Sequence, residues 1–179
     1  MCRQRGSLVR PTVGIDNQKG VEEMRKVLVV DSEPGFVRVV TQILQPSYQV
    51  IFASRREEGL KRARREAPDL VLLGFLEPRG DSFKLHKELR ESPETNRIPL
   101  LVVDVRPEEH SRKGWRREEG MQMDAEDYVS RPIESTELME LVEDIFQRVA
   151  LKSVSLADIL DRMERALKRM EKIEEMLVK

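Results

Sequence analysis

The stretch VLLGFLEP, residues 71–78, ends an apolar run on a glycine. Val71, Leu72 and Leu73 have no polar residue between them, which is typical of a strand buried on both faces of a sheet. Gly74 and then Pro78 end the run. The residue that follows such a strand lies where open α/β sheets carry their ligand chemistry. A glycine at this position therefore supplies no side chain where a functional residue would be expected.

Further short apolar runs alternate with helical patterns along the rest of the chain. This alternation predicts parallel strands and right-handed crossovers, and the economical fold is a five-stranded, doubly wound α/β sheet of the flavodoxin-like type. The predicted strands are 26–30, 48–53, 69–73, 98–103 and 127–130, and the predicted helices are 36–44, 56–66, 81–92 with Asp81 as its N-cap, and 135–149.

The carboxyl ends of these strands bring several polar positions to one edge of the sheet. The residues at that edge are Asp31-Ser32-Glu33, Gly74, Asp104 and Arg131. The segment 106–124 occupies the place of a fourth helix, but Trp115 is its only large apolar residue before Met121. We therefore expect a short or mobile helix there.

Composition narrows the classes of partner. The 179 residues are 36% charged with a net charge of −1, which offers no electrostatic case for nucleic acid or an anionic membrane. Cys2 is the single cysteine, so no internal disulfide can form and a cytoplasmic location is expected. Residues 1–24 lack periodicity and are interpreted as a disordered tail. Met24 is a hypothetical true start, which the intact mass of the natively expressed protein would test.

Four segments in order resemble the receiver domains of bacterial response regulators. They are VLVVDSEP (27–34), PDLVLLGFLEPRGDSF (68–83), IPLLVVD (98–104) and DAEDYVSRPI (124–133). The resemblance covers residues 26 to about 148, and it implies the same five-stranded fold and a role in two-component signal transduction or a phosphorelay.

The resemblance also assigns roles that this chain does not keep. The phosphoacceptor aspartate position is Gly74, the second metal-binding acid is Ser32, the hydroxyl position is Asp104 and the lysine position is Arg131. Asp31 and Pro132 keep the family pattern, and Tyr128 stands at its aromatic switch position. The implied class is a pseudo-receiver without a catalytic site or cofactor. We expect Arg131 to form an ion pair with Asp104 or Asp31.

Several alternatives remain open at this point. Asp31, Glu33 and Asp104 could bind a cation, although two acidic metal ligands of the family are missing, so at most a weak metal site at Asp31 is expected. Asp81 or Asp69 could act as a displaced phosphoacceptor. His86 and His110 are interpreted as solvated side chains. Trp115 is either a surface anchor for a partner or a cover for the core edge.

The C-terminal segment 155–179 has its own apolar stripe. A capping box at Ser155 predicts that a separate helix begins there, within a region assigned to 150–179 that follows a receiver-like domain at 25–149. The stripe lasts just over three heptads, near the minimum for a coiled coil. Its residues are Leu156, Ile159, Leu160, Met163, Leu167, Met170, Ile173 and Leu177.

Three partners for this stripe are open: a second copy, a different protein, or the chain's own receiver domain. The expected function is a phosphorylation-independent regulatory module that acts by protein–protein interaction, and the receiver side of that surface includes Trp115 and Tyr128. The alternatives are a sensor of a small ligand or cation at the strand ends, and a regulator phosphorylated on another aspartate.

Overall fold

The computed structural model describes residues 24–177, and its strands form one parallel sheet. The strand order is β2-β1-β3-β4-β5, and all four neighbouring pairs are parallel. The predicted doubly wound sheet is confirmed. The strands are β1 (Lys26–Val30), β2 (Gln49–Ala53), β3 (Leu70–Leu73), β4 (Leu100–Asp104) and β5 (Asp127–Ser130).

Helices cover both faces of the sheet. They are α1 (Pro34–Leu44), α2 (Arg56–Glu66), α3 (Asp81–Glu91), α4 (His110–Lys113), α5 (Arg117–Met121) and α6 (Ser135–Leu177), with a 3-10 turn at Pro107–Glu109. The place of the fourth long helix is thus divided into a turn and two short helices, as the scarcity of apolar residues predicted.

The sheet separates two hydrophobic clusters. Val27 and Val29 face α1 and α6, whereas Leu28 and Val30 face the side that also holds Leu85 of α3. Because neighbouring strand residues point to opposite faces, a strand that is covered on both sides must be apolar throughout. All four residues of β3 are buried for this reason.

Two expectations about helix ends are wrong. Asp81 does not cap α3, because Gly80 holds the cap position at a φ of 94° and Asp81 is the first helical residue. Ser155 does not begin a helix, because α6 runs without interruption from Ser135 to Leu177. No glycine or proline lies between residues 135 and 177, so no strong helix breaker separates the two predicted helices.

The two halves of α6 differ in what they contact. Leu138, Val142 and Ile145 are fully buried against the sheet. Beyond Ala150, the large apolar side chains that the structure describes are half exposed or more. They are Leu151, Ile159, Leu160, Met163, Leu167 and Met170.

Some expectations fall outside the described residues. These are the tail at 1–23 and the side chains of Leu156, Ile173 and Leu177. Among the helices that the structure describes, none is both long and apolar enough to cross a membrane.

Candidate functional site

A buried ion cluster occupies the carboxyl ends of β1 and β5. Asp31 follows β1 and Arg131 follows β5, and both side chains are almost fully buried. The guanidinium of Arg131 donates to the Asp31 carboxylate through Nη2, and its Nη1 lies 2.7 Å from Glu33 Oε2. Arg131 thus pairs with Asp31, one of its two expected partners, and the strand ends hold a cation that belongs to the chain itself.

Asp31 has a full set of hydrogen bonds. Besides Arg131, it accepts the backbone N–H of Glu33 at 2.7 Å and that of Phe75 at 3.0 Å. Burial raises the pKa of Asp31 to about 6, although the Arg131 charge and these hydrogen bonds oppose that rise. The carboxylate is therefore committed to contacts inside the protein.

Two further contacts hold the cluster in place. The Arg131 guanidinium lies over the ring of Phe36, 3.5 Å from its centroid, as in a cation–π contact. Lys113 of α4 places Nζ 2.5 Å from Glu33 Oε1 and 3.0 Å from Glu109. The sequence had given no reason to select Lys113, because it lies in a run of charged residues and contacts a partner 80 positions away.

Gly74 lies against the Asp31–Arg131 pair. A Cβ atom added at residue 74 would lie 1.9 Å from Asp31 Oδ2 and 2.8 Å from Arg131 Nη2. The backbone N–H of Gly74 donates to the carbonyl oxygen of Val30 at 2.9 Å, which keeps the two strand ends together. The space that a side chain of residue 74 would enter is therefore filled.

Ser32 fixes the loop beyond β3. Its Oγ donates to the carbonyl oxygen of Ser54 at 2.9 Å and accepts the backbone N–H of Glu77 at 3.0 Å. The hydroxyl joins segments after β1, β2 and β3, which is a structural use of this position.

The side chain of Asp104 belongs to a second polar group, which does not include the Arg131 guanidinium. The Tyr128 hydroxyl donates to Asp104 Oδ2, and His110 Nε2 lies 3.1 Å from the same oxygen. Asp104 Oδ1 accepts the backbone N–H of Val105 at 2.8 Å. Burial, followed by the Asp104 carboxylate, raises the pKa of the Tyr128 hydroxyl. The expected Arg131–Asp104 pair is thus replaced by contacts from an aromatic hydroxyl and a histidine.

One of the two histidine interpretations is wrong. His86 is only 3% exposed, and its Nε2 accepts the backbone N–H of Asp124 at 3.0 Å. Burial lowers the pKa of His86, which favours the neutral ring that this contact requires. His110 is exposed, as expected, although its Nε2 also contacts Asp104.

Trp115, Asp81 and Asp69 each have contacts that explain their places in the fold. Trp115 is 8% exposed within the cluster that includes Leu76 and Leu85, which favours its role as a cover for the core edge. Asp81 is buried and pairs with Lys84 at 2.9 Å. Asp69 accepts the backbone N–H of Lys26 at 2.7 Å.

The fold and the strand-end cluster define a class of protein: a doubly wound parallel sheet with its polar site outside the carboxyl ends of the strands. The sequence matches the response regulator receiver domain over residues 27–143, and the chain belongs to that family. Receiver domains are modules of two-component signalling, and this chain is one.

Individual relatives agree with this assignment. The chain is 33% identical over 141 residues to the alkaline phosphatase synthesis transcriptional regulatory protein PhoP of Bacillus subtilis, which covers 78% of this chain but only 56% of that protein. It is 28% identical to protein PilH of Pseudomonas aeruginosa, over 68% of this chain and 98% of PilH. The chain thus spans about half the length of PhoP and nearly all of PilH.

Solved structures support the fold alone. A CheY-like response regulator receiver domain protein from Methanospirillum hungatei superposes with a TM-score of 0.60 at 19% identity, over 72% of this chain and 98% of that one. The chemotaxis protein CheY4 of Vibrio cholerae gives a TM-score of 0.57 at 23% identity, over 68% and 98% of the two chains.

Proposed function

We propose that this chain is a receiver-type regulatory module that binds protein partners without being phosphorylated at its strand-end site. The observation that carries the proposal is the 1.9 Å approach of Asp31 Oδ2 to a Cβ built at Gly74. A glycine offers no carboxylate to form an acyl phosphate. The place beside it is held by the chain's own carboxylate and guanidinium.

The magnesium ion that the family resemblance implies does not fit these residues. Asp31 is hydrogen-bonded to Arg131 and to two backbone N–H groups, and Glu33 is shared between Arg131 and Lys113. A divalent cation would have to displace a permanently charged guanidinium from its buried partner. Among the side chains that the structure describes, no group of three His, Cys, Asp or Glu residues has a metal-site arrangement.

Asp104 opposes phosphoryl binding from the other side of the site. Its buried carboxylate would repel a phosphoryl group, whereas a hydroxyl would donate a hydrogen bond to it. Tyr128 is hydrogen-bonded to this carboxylate, so the aromatic side chain has a constant partner that no phosphoryl group supplies. We infer a fixed signalling surface rather than one switched at this site.

The protein-binding part of the proposal rests on the second half of α6. Its described large apolar side chains are 50–70% exposed, far more than those in the first half. An apolar patch of this extent on a helix marks an interaction surface. We propose that this half joins two copies of the chain or docks it onto another protein.

The direct test is incubation with a small-molecule phosphodonor and Mg²⁺, followed by intact mass measurement. We expect no mass increase for the wild-type chain. An added phosphoryl group that hydroxylamine removes would refute the proposal. If the same increase were absent from Asp81→Asn or Asp69→Asn, it would identify a displaced phosphoacceptor.

A groove beside Asp31 favours a second candidate function, the binding of a small apolar ligand. Its volume is about 370 Å³, and it is lined by Val37 of α1 and the half-exposed Phe52 of β2 together with polar residues such as Thr41 and Ser54. Binding of the dye 1-anilinonaphthalene-8-sulfonate would test it. A ligand groove requires that Phe52→Ser weaken dye binding several-fold while Val39→Ser, an exposed position outside the groove, leaves it unchanged.

A further inference from the structure

The apolar residues on the two halves of α6 follow one heptad repeat, which the exposed Lys152 interrupts at a single position. The receiver-facing stripe, Leu138, Val142, Ile145 and Val149, packs on the core at alternating steps of four and three residues. The same steps continue through positions 152 and 156 to the exposed stripe, Ile159, Leu160, Met163, Leu167 and Met170. In a straight helix the two stripes are offset by only about 60° over three heptads. The exposed stripe therefore lies on the side of α6 that carries its own receiver domain.

We infer that the occupant of the exposed stripe is a second copy of this chain, packed antiparallel, so that the two receiver domains lie at opposite ends of the paired helices. This inference rests on the proposed self-association and adds its geometry.

Charge favours an identical partner. Residues 151–177 contain six acidic and six basic side chains, so two copies meet without net repulsion. On the polar face, Asp161 pairs with Arg165, and Glu164 lies 2.9 Å from Lys168. These charges already have partners within the helix, and the apolar stripe is the part that a second chain must cover.

Area is sufficient for a specific pair. The five side chains of the exposed stripe are 50–58% exposed and leave about 600 Å² of surface on each helix, the upper range for a patch on a monomer. Two such faces give about 1,200 Å², the lower end of specific interfaces.

Steric overlap of the receiver domains decides whether the two helices pack parallel or antiparallel. Packed helices lie about 8–10 Å apart, whereas a domain of this size is roughly 30 Å across. In a parallel pair each receiver domain would lie on the stripe side of its own helix, so both would be wedged into the gap between the helices. A bend could separate them, but α6 is continuous and has no glycine or proline.

An antiparallel pair avoids this overlap. Placing position 152 level with position 177 of the other copy aligns every layer of the repeat over about 39 Å. Each receiver domain then lies beyond the end of the other helix, and residues 138–149 keep their contacts with their own core. The inferred assembly is an elongated particle with two outward-facing receiver domains.

Spin labels on the full chain test this arrangement. With Cys2→Ser as background, single labels are placed at Gln147→Cys and at Lys168→Cys, both at exposed positions away from the stripe. The antiparallel pair predicts about 50 Å of axial separation between the two Gln147→Cys labels and about 10 Å between the two Lys168→Cys labels. A parallel pair predicts short distances at both positions, so Lys168→Cys is the matched control for label behaviour.

Each outcome has a definite meaning when sedimentation equilibrium is run on the same samples. A dimer with a long distance only at Gln147→Cys supports the inference. A dimer with short distances at both positions overturns the antiparallel arrangement and leaves self-association intact. A monomer without intermolecular distances overturns self-association as well. None of these results bears on phosphorylation, which the phosphodonor assay decides separately.

Discussion

Replacement of Gly74 by alanine should destabilise the protein far more than an added methyl group ordinarily does. The new Cβ would lie 1.9 Å from Asp31 Oδ2, 2.8 Å from Arg131 Nη2 and 3.0 Å from Asp31 Cγ, so the Asp31 carboxylate must move. Its side chain has no exposed surface, and that of Arg131 is 6% exposed. The movement would break a buried ion pair and leave a charge without its partner.

Disruption of a buried pair in this way costs about 3–5 kcal/mol, and some relaxation brings the expected loss for Gly74→Ala to about 3 kcal/mol. That is a large part of the roughly 5–15 kcal/mol by which domains are stable. With a urea m-value of about 2 kcal/mol per molar, the unfolding midpoint should fall by about 1.5 M. Fluorescence of the buried Trp115 and circular dichroism report the transition.

Two comparisons make the prediction specific. Gly35→Ala lies in α1, where nothing is within 4 Å of the added Cβ, and it should be neutral or slightly stabilising. In an Asp31→Ala background, Gly74→Ala should cost much less, with a coupling of about 2 kcal/mol. Equal losses for Gly74→Ala with and without Asp31, or a loss below about 1 kcal/mol in the wild type, would refute the steric argument.

Three further predictions concern charge and assembly. Burial raises the pKa of Asp31 from 3.8 to about 6, so the folded state binds its proton more tightly than the unfolded state. Stability relative to Asp31→Asn should therefore fall by about 2 kcal/mol between pH 4 and 6. Urea titrations of both proteins across that range check this, and a difference independent of pH would contradict it. The Asp104→Ala substitution should lower the raised pKa of Tyr128 towards its usual value, as followed by ultraviolet absorbance; an unchanged titration would show that Asp104 does not contribute. The double substitution Leu160→Glu with Leu167→Glu should convert a dimer to a monomer in sedimentation. Both side chains are 57% exposed and absent from the core, so the circular dichroism spectrum should not change. A persistent dimer would contradict the proposed interface.

The residues at the strand ends show which features of the site the local sequence predicts. Asp31, Gly74 and Arg131 were placed at one edge of the sheet because parallel strands bring their carboxyl ends together. That logic does not state which charges meet. Arg131 pairs with Asp31 and Glu33, whereas the Asp104 carboxylate contacts Tyr128 and His110. Pairings depend on side-chain reach and loop paths, which residue type and spacing do not encode.

His86 shows the same limit in a helix. It lies among lysines and glutamates in sequence, so it was interpreted as solvated. The ring is nevertheless buried, stacked on Phe83, and bonded to the backbone N–H of Asp124 from a segment 38 residues further along. A local pattern describes the average polarity of a helix and does not reveal which later segment covers one residue.

The sequence by itself determined the five parallel strands, their two-sided burial and the apolar repeat near the C-terminus, because periodicity and β-branched runs are local properties of the chain. Only the tertiary structure decided that Asp31 fills the space beside Gly74, since that contact joins residues 43 positions apart. Only it decided that α6 is a single helix, because a capping signal at Ser155 competes with continued helix and nothing local settles the balance. Distances between remote segments, rather than residue types, therefore set the chemistry at the strand ends.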